Sequence, residues 1–147
     1  VRTLAIDYGT KRVGLALSDE GGRFATPVDV LQVTSPDDAR RQIEPLARRE
    51  GVQRLVVGLP LNMDGTAGGA ARDVVAWAGT LAAALGVPVV FVDERLSSFD
   101  VEQRLVDRKR GGEKITRKQK KQQLDALVAA SLLQQFLDGA LPAVDVE

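Results

Sequence analysis

Three carboxylates set far apart along the chain, Asp7, Glu94 and Asp125, are the residues best suited to chemistry. Asp7 ends an apolar run and stands directly before Gly9-Thr10. Aspartate is depleted in strands, and a buried charge has to be paired or bound to a metal. The plainer alternative is a turn aspartate that accepts from the backbone of Gly9 and Thr10. Glu94 follows a second apolar run, Pro88–Val92, and carboxylates at the C-terminal ends of strands in an α/β sheet converge on the ligand crevice. Asp93 competes with it: side chains alternate along an extended segment, so one of the two faces the site, and the sequence leaves both open. Asp125 belongs to the last helical segment. On a wheel with Leu124 at zero, Val128 falls at about 40°, Leu132 at about 80°, Phe136 at about 120° and Leu133 at about 180°. Asp125 lies at about 100°, in the middle of this apolar arc. A carboxylate left unpaired there would cost several kcal/mol or have its pKa driven upward, and a bound cation removes that penalty. Lys121, one turn earlier at about 60°, offers an ion pair as the alternative.

The 147 residues include no histidine and no cysteine. That excludes Ser-His-Asp and Cys-His nucleophiles and the usual zinc sites, so any metal must be held by oxygen, which suits Mg²⁺ or Mn²⁺. Three carboxylates form the kind of site at which two ions roughly 4 Å apart activate a water and stabilise a leaving oxygen in phosphoryl transfer. Disulfides are impossible, which fits a reducing compartment. No apolar run approaches the roughly 18 residues of a membrane span and no signal-peptide pattern opens the chain. The expectation is a cytoplasmic protein with no membrane partner.

Charge is balanced overall, with 20 basic and 20 acidic residues. The balance is uneven, because Arg95 to Lys121 holds ten bases and four acids, making that segment +6 and the remainder −6. Such asymmetry provides a polyanion-binding surface, although a solvated helix face with a basic loop has the same composition. Lys11, Arg95 and the cluster Arg117, Lys118 and Lys121 are the candidate phosphate contacts. Gly9-Thr10-Lys11 and Asp64-Gly65-Thr66 offer exposed backbone N–H groups, the latter ahead of a helix, and ordinary turn chemistry explains both equally well. Neither a Walker A motif nor G-x-G-x-x-G occurs. Trp77 and Met63 read as packing residues.

The elements that must position these groups follow from the apolar pattern. Residues 3–8 and 12–18 read as a tight hairpin, with a third strand within Val28–Val33. Ser35-Pro36-Asp37-Asp38 supplies an N-cap, an N1 proline and first-turn acids for a helix from about 36 to Gly51, with a kink or a late start at Pro45. A buried strand at Arg54–Gly58, an Ala-rich helix ending at Gly86 and a strand over Pro88–Val92 come next. Ser97 with Asp100 resembles a capping box opening a third helix, 108–114 reads as a basic loop, and Thr116-x-x-Gln119 opens a last helix reaching about Asp138. An antiparallel meander followed by αβαβα is an α/β fold with a five-stranded mixed sheet flanked by helices. Residues 1–138 are expected to form one domain, and 139–147 a frayed acidic tail.

Four blocks in order resemble the YqgF family, also called RuvX, of ribonuclease H-like proteins. They are Ile6-Asp7-Tyr8-Gly9-Thr10-Lys11-Arg12-Val13-Gly14-Leu15-Ala16; Val57-Gly58-Leu59-Pro60 with Asn62 and Asp64-Gly65; Asp93-Glu94-Arg95-Leu96-Ser97; and Asp125-Ala126 with Ala129-Ala130. The resemblance covers nearly the whole chain, and no departure falls on a motif carboxylate. It implies a ribonuclease H-like fold, a divalent-metal nuclease site at Asp7, Glu94 and Asp125, and Glu94 in preference to Asp93. Asn62 and Ser97 join the nucleic-acid contacts on the same ground, beside Thr66 of the Asp64-Gly65-Thr66 turn. The family is described both as a nuclease maturing the 5′ end of the 16S rRNA precursor and as a Holliday junction resolvase. The partner is therefore nucleic acid, precursor rRNA or branched DNA, with a second copy of the chain expected where two strands are cut symmetrically. A non-catalytic RNA-binding module for ribosome assembly is a further alternative. The Asp7-x-Gly9-Thr10 pattern also occurs in actin-like and sugar-kinase-like ATPases, but those folds use two such domains around the nucleotide. Few aromatic residues suit backbone recognition over extensive base stacking.

Overall fold

The apolar runs at the start of the chain pair as β1 (Thr3–Tyr8) and β2 (Arg12–Ser18), antiparallel, with Asp7 opposite Gly14. In the computed structural model, which describes residues 1–96 and 117–146, β3 (Ala25–Gln32) completes the meander. There follow α1 (Pro36–Arg49), β4 (Arg54–Leu59), α2 (Gly69–Leu85), β5 (Val89–Asp93), a 3₁₀ turn at Glu94–Leu96, and α3 (Arg117–Leu137). The sheet order is β3-β2-β1-β4-β5, with β4 parallel to both β1 and β5. This is the expected five-stranded mixed α/β sheet. The helix expected from Ser97, the 108–114 loop and the Thr116 cap lie outside the described residues.

Alternation along the strands sorts side chains into two cores of different character. Leu4, Ile6, Val13, Leu15, Leu55, Val57 and Leu59 pack against α1 and α2. On the opposite face Ala5, Ala16, Val56 and Val92 meet Ala129, Leu132 and Leu133 of α3. Each fully buried Leu or Val contributes roughly 1.5–3 kcal/mol, so the larger residues make the first face the main source of stability. Small residues on the second face let α3 lie close to the sheet. A Cβ added at Gly14 would overlap the backbone carbonyl of Asp125, so this glycine sets how near α3 approaches β2.

The helix ends follow their capping residues. Ser35 Oγ accepts from the Asp38 N–H at 3.0 Å, and Gly86 closes α2 in the left-handed region with φ 69°. The indole Nε1 of Trp77 donates to the Pro36 carbonyl at 2.9 Å and ties the two helices together.

Four expectations need correction. The third strand starts at Ala25 rather than Val28 and includes Pro27, which an edge strand tolerates because its outer N–H positions need no partner. Its register shifts opposite Leu15/Ala16, leaving Val28 unpaired and exposed. Pro45 does not delay α1, which runs unbroken through it from Pro36: it and Arg41, whose carbonyl loses its partner, are both on the solvent side, where water can replace the missing bond. The C-terminal tail is docked at points along its length, with Leu141 buried, the Val144 N–H donating to the Phe91 carbonyl at 2.7 Å and Val146 packed against the core. Met63 is fully exposed and packs against nothing, whereas Trp77 is a core residue as expected.

Candidate active site

Strand parity and the last helix bring the three carboxylates to the same end of the sheet. Asp7 shares the α3 face of β1 with Ala5, and the α3 face of β5 carries Val90 and Val92 and leads into Glu94. Glu94 lies over Gly58, where an added Cβ would come within 3.1 Å of its own Cβ. Asp125 reaches the same end of the sheet from α3, and with Asp7 and residues 8–12 it lines a cleft of about 340 Å³. Burial, reinforced by the negative charges of Glu94 and Asp125, pushes the Asp7 carboxyl from an ordinary 3.8 up to about 7. Burial likewise raises Glu94, with Asp93 adding to the effect. No hydrogen bond joins Asp7 to the backbone of Gly9 or Thr10 among the described residues, so the turn-aspartate alternative has no support.

Asp93, the competitor, faces the other way. Its carboxylate accepts from three donors of Arg95, Nε (2.9 and 3.1 Å to its two oxygens), Nη2 (2.6 Å) and the backbone N–H (3.0 Å), and these bonds hold its pKa low. Arg95 Nη1 continues to the Asn62 carbonyl at 2.6 Å. The loop beyond is closed on itself. Thr66 donates to Asp64 Oδ1 from its N–H (3.0 Å) and its hydroxyl (2.6 Å), Asn62 Nδ2 donates to Thr66 Oγ1 (3.1 Å), and the Gly65 N–H donates to the Asn62 carbonyl (2.9 Å).

The sequence-derived contacts thus fall into three groups. Gly9, Thr10 and Lys11 form the β1–β2 turn and line the carboxylate cleft, with Thr10 and Lys11 exposed. Asn62, Asp64, Gly65, Thr66 and Arg95 form the linked loop at the β5 end. Arg117, Lys118 and Lys121 lie on the first turns of α3 and their side chains, like all of Ser97, are outside what is described.

Sequence reasoning gave no role to Arg12, yet its Nε donates to Asp125 Oδ2 at 2.7 Å. The signal was available: Arg12, Gly14 and Ala16 alternate on the α3 face, which directs Arg12 toward whatever acid the last helix presents. Gly14 and Gly58 were passed over for a related reason, since what they accommodate becomes visible only when α3 and Glu94 are placed.

The donor set suits a hard divalent cation, all oxygen and all acidic, around a carboxyl whose pKa is raised by burial and by the neighbouring negative charges. As it stands, no three acidic side chains among the described residues are gathered closely enough to hold an ion, and Arg12 supplies the positive charge beside Asp125. Among the described residues no helix is long and apolar enough to cross a membrane.

Comparison with known proteins places the fold and the family. A protein of Anaeromyxobacter sp. (strain K) is 46% identical over 142 residues, covering 97% of this chain and 100% of its own, and bears the name "Putative pre-16S rRNA nuclease". Relatives from Trichormus variabilis and Chloroflexus aurantiacus, both 42% identical, cover 94% and 92% of this chain and 88% and 85% of their own, and bear the same name. T. thermophilus RuvC, solved in complex with Holliday junction substrate, matches with a TM-score of 0.58 at 19% identity, over 98% of this chain and 100% of that one. This likeness identifies the sheet and its helices as ribonuclease H-like. A family model described as RuvX, Holliday junction resolvase, matches residues 1–139, and with the sequence blocks and the fold in agreement, the chain belongs to the RuvX family.

Proposed function

We propose that the protein is a divalent-metal-dependent nuclease that hydrolyses phosphodiester bonds, with the 5′ end of the 16S rRNA precursor as its substrate. The observation that carries this reading is the convergence of Asp7, Glu94 and Asp125 at one end of the sheet, where burial, with the charges of the latter two adding to it, raises Asp7 to about 7. The names of relatives at 42–46% identity support rRNA as the substrate. These three carboxylates would hold Mg²⁺ or Mn²⁺, which when bound makes water more acidic and offsets charge on the leaving oxygen. The chain's own residues do the positioning. Lys11 and the Thr10 hydroxyl border the cleft and meet backbone phosphate. Arg12 orients Asp125 through its Nε. The Asp93–Arg95–Asn62 chain of bonds fixes the strand end from which Glu94 projects.

A second reading, a junction-resolving endonuclease, is favoured by the family description and by the RuvC-like fold. One preparation offered precursor rRNA and four-way junction DNA side by side with Mg²⁺ or Mn²⁺ separates the two. Metal-dependent cuts in the rRNA are expected, and Asp7→Asn, which removes one charged ligand with little change of shape, lowers the rate by about 10³-fold or more. Undiminished cleavage by the purified variant overturns the assignment. Salt-sensitive binding with no metal-dependent product indicates a non-catalytic RNA-binding protein instead.

A further inference from the structure

A second cleft, of about 500 Å³, opens on the opposite side of the β1–β2 turn from the carboxylates. Its size is within the roughly 300–1,000 Å³ typical of small-molecule sites. Tyr8, Gly9 and Thr10 line both clefts, so the two are continuous around the turn. Parity explains the arrangement: Asp7 faces α3, and Tyr8, the next residue, faces α2. There the Tyr8 ring rests on Trp77, with centroids 4.4 Å apart and planes tilted by 39°. The indole is pinned by its bond to the Pro36 carbonyl, which makes the aromatic pair rigid. Pro60 closes one side. Asp73, exposed on α2, puts a carboxylate on the rim and makes no hydrogen bond or ion pair among the described residues. It is near enough to Tyr8 to help raise the phenol's pKa.

The geometry points to this cleft as a nucleobase subsite that takes a guanine from the nucleotide next to the scissile phosphate, stacked on Tyr8 and held at its edge by Asp73. The inference rests on the nuclease reading for the identity of the phosphate and adds a base preference to it. Unstacked RNA bases are recognised on aromatic side chains and by hydrogen bonds to their Watson–Crick edges. An ionised carboxylate only accepts. Guanine presents two adjacent donors, N1–H and N2–H, which suit both oxygens of one carboxylate in the way an arginine fork does. Uracil, cytosine and adenine each place an acceptor beside their donor and would set it against the Asp73 charge. The chain's low aromatic content is compatible with one such platform.

Trp77, the only tryptophan, reports on the cleft directly. The full chain in EDTA is titrated with GMP, UMP and inorganic phosphate while Trp77 fluorescence is followed. GMP is expected to change the emission with an affinity about tenfold or more above that of UMP, and phosphate alone leaves it unchanged. Asp73→Asn, on an exposed helix position where misfolding is not a concern, brings GMP to the level of UMP. Tyr8→Phe keeps the ring and the binding. Equal responses to GMP and UMP, or none to either, overturn the subsite, as does a guanine preference that survives in Asp73→Asn. Cleavage of precursor rRNA by the same preparation separates this from the broader reading. Cleavage without guanine preference removes the subsite and leaves the nuclease standing; guanine binding without cleavage does the reverse.

Discussion

Two acidic groups lie at the same end of the sheet and are built on opposite principles. Around Asp93 every charge has a partner: Arg95 grips the carboxylate, passes a bond to Asn62, and the 62–66 loop closes through Asp64 and Thr66. Around Asp7 a buried carboxyl has two more acids, Glu94 and Asp125, near it, and burial with those charges raises it to about 7 while Asp93 is lowered. Two adjacent residues, Asp93 and Glu94, belong to different groups because the strand turns them to different faces. The satisfied group holds structure together. The frustrated group costs stability, and under the proposed function it is where a cation would bind.

The largest expected effect comes from relieving that frustration. Asp7 gains protons on folding, because its carboxyl rises from 3.8 to about 7. The folded state therefore binds the extra proton between those values, and stability falls as pH rises through that window. At about 1.4 kcal/mol per unit the shift sets an upper bound near ~4 kcal/mol. Thermal melts in EDTA from pH 4 to 8 are expected to show the loss, and Asp7→Asn to flatten it and melt higher above pH 7, by about 2–4 °C for each kcal/mol. With no histidine or cysteine in the chain, only carboxyl groups titrate in this window, and Glu94, also raised by burial, adds to the same loss. Mg²⁺ restores the wild type and not the variant, since an ion that binds only the folded state stabilises it. A pH-independent melt would mean that the acids do not crowd one another.

The satisfied group makes the opposite prediction. Asp93→Asn keeps the shape, removes the charge that Arg95 grips, and is expected to cost about 1–3 kcal/mol at neutral pH, read by urea unfolding. Cleavage per folded molecule should fall far less than in Asp7→Asn. A catalytic loss as deep as that of Asp7→Asn, without a change in stability, would put Asp93 in the wrong group.

How far the two groups were legible in the sequence follows from the range of the signals. The hairpin, the caps at Ser35 and Gly86, and the helix wheel that set Asp125 on a buried face all depend on residues within a turn or two of each other. The edge strand was misplaced because Pro27 and its polar neighbours look like loop until an outer edge with no partner is available. Parity alone could not separate Asp93 from Glu94, because it says that they differ but only the neighbouring elements say which face is which; the family resemblance made the choice. The partner of Asp125 was sought one helical turn away, at Lys121; Arg12, found 113 positions earlier in the chain, needs the third dimension.

Arg12 gives the finest test of the comparison, because it is the one cation that reaches into the frustrated group among the described residues. Its pair with Asp125 is partly exposed, 37% and 21% by side chain, so solvent screening limits its contribution to about 1 kcal/mol or less. If Arg12 supplies the positive charge that a divalent ion brings in the working enzyme, Arg12→Gln should lower stability by that amount in EDTA and by less in saturating Mg²⁺, where the ion supplies the charge beside Asp125. The difference between the two losses is a coupling between side chain and ion, and the same coupling requires Arg12→Gln to bind Mg²⁺ more tightly than the wild type, measured by calorimetry. Equal losses in both buffers would mean that Arg12 and the ion act independently, and that Asp125 keeps its arginine whether or not a cation is bound.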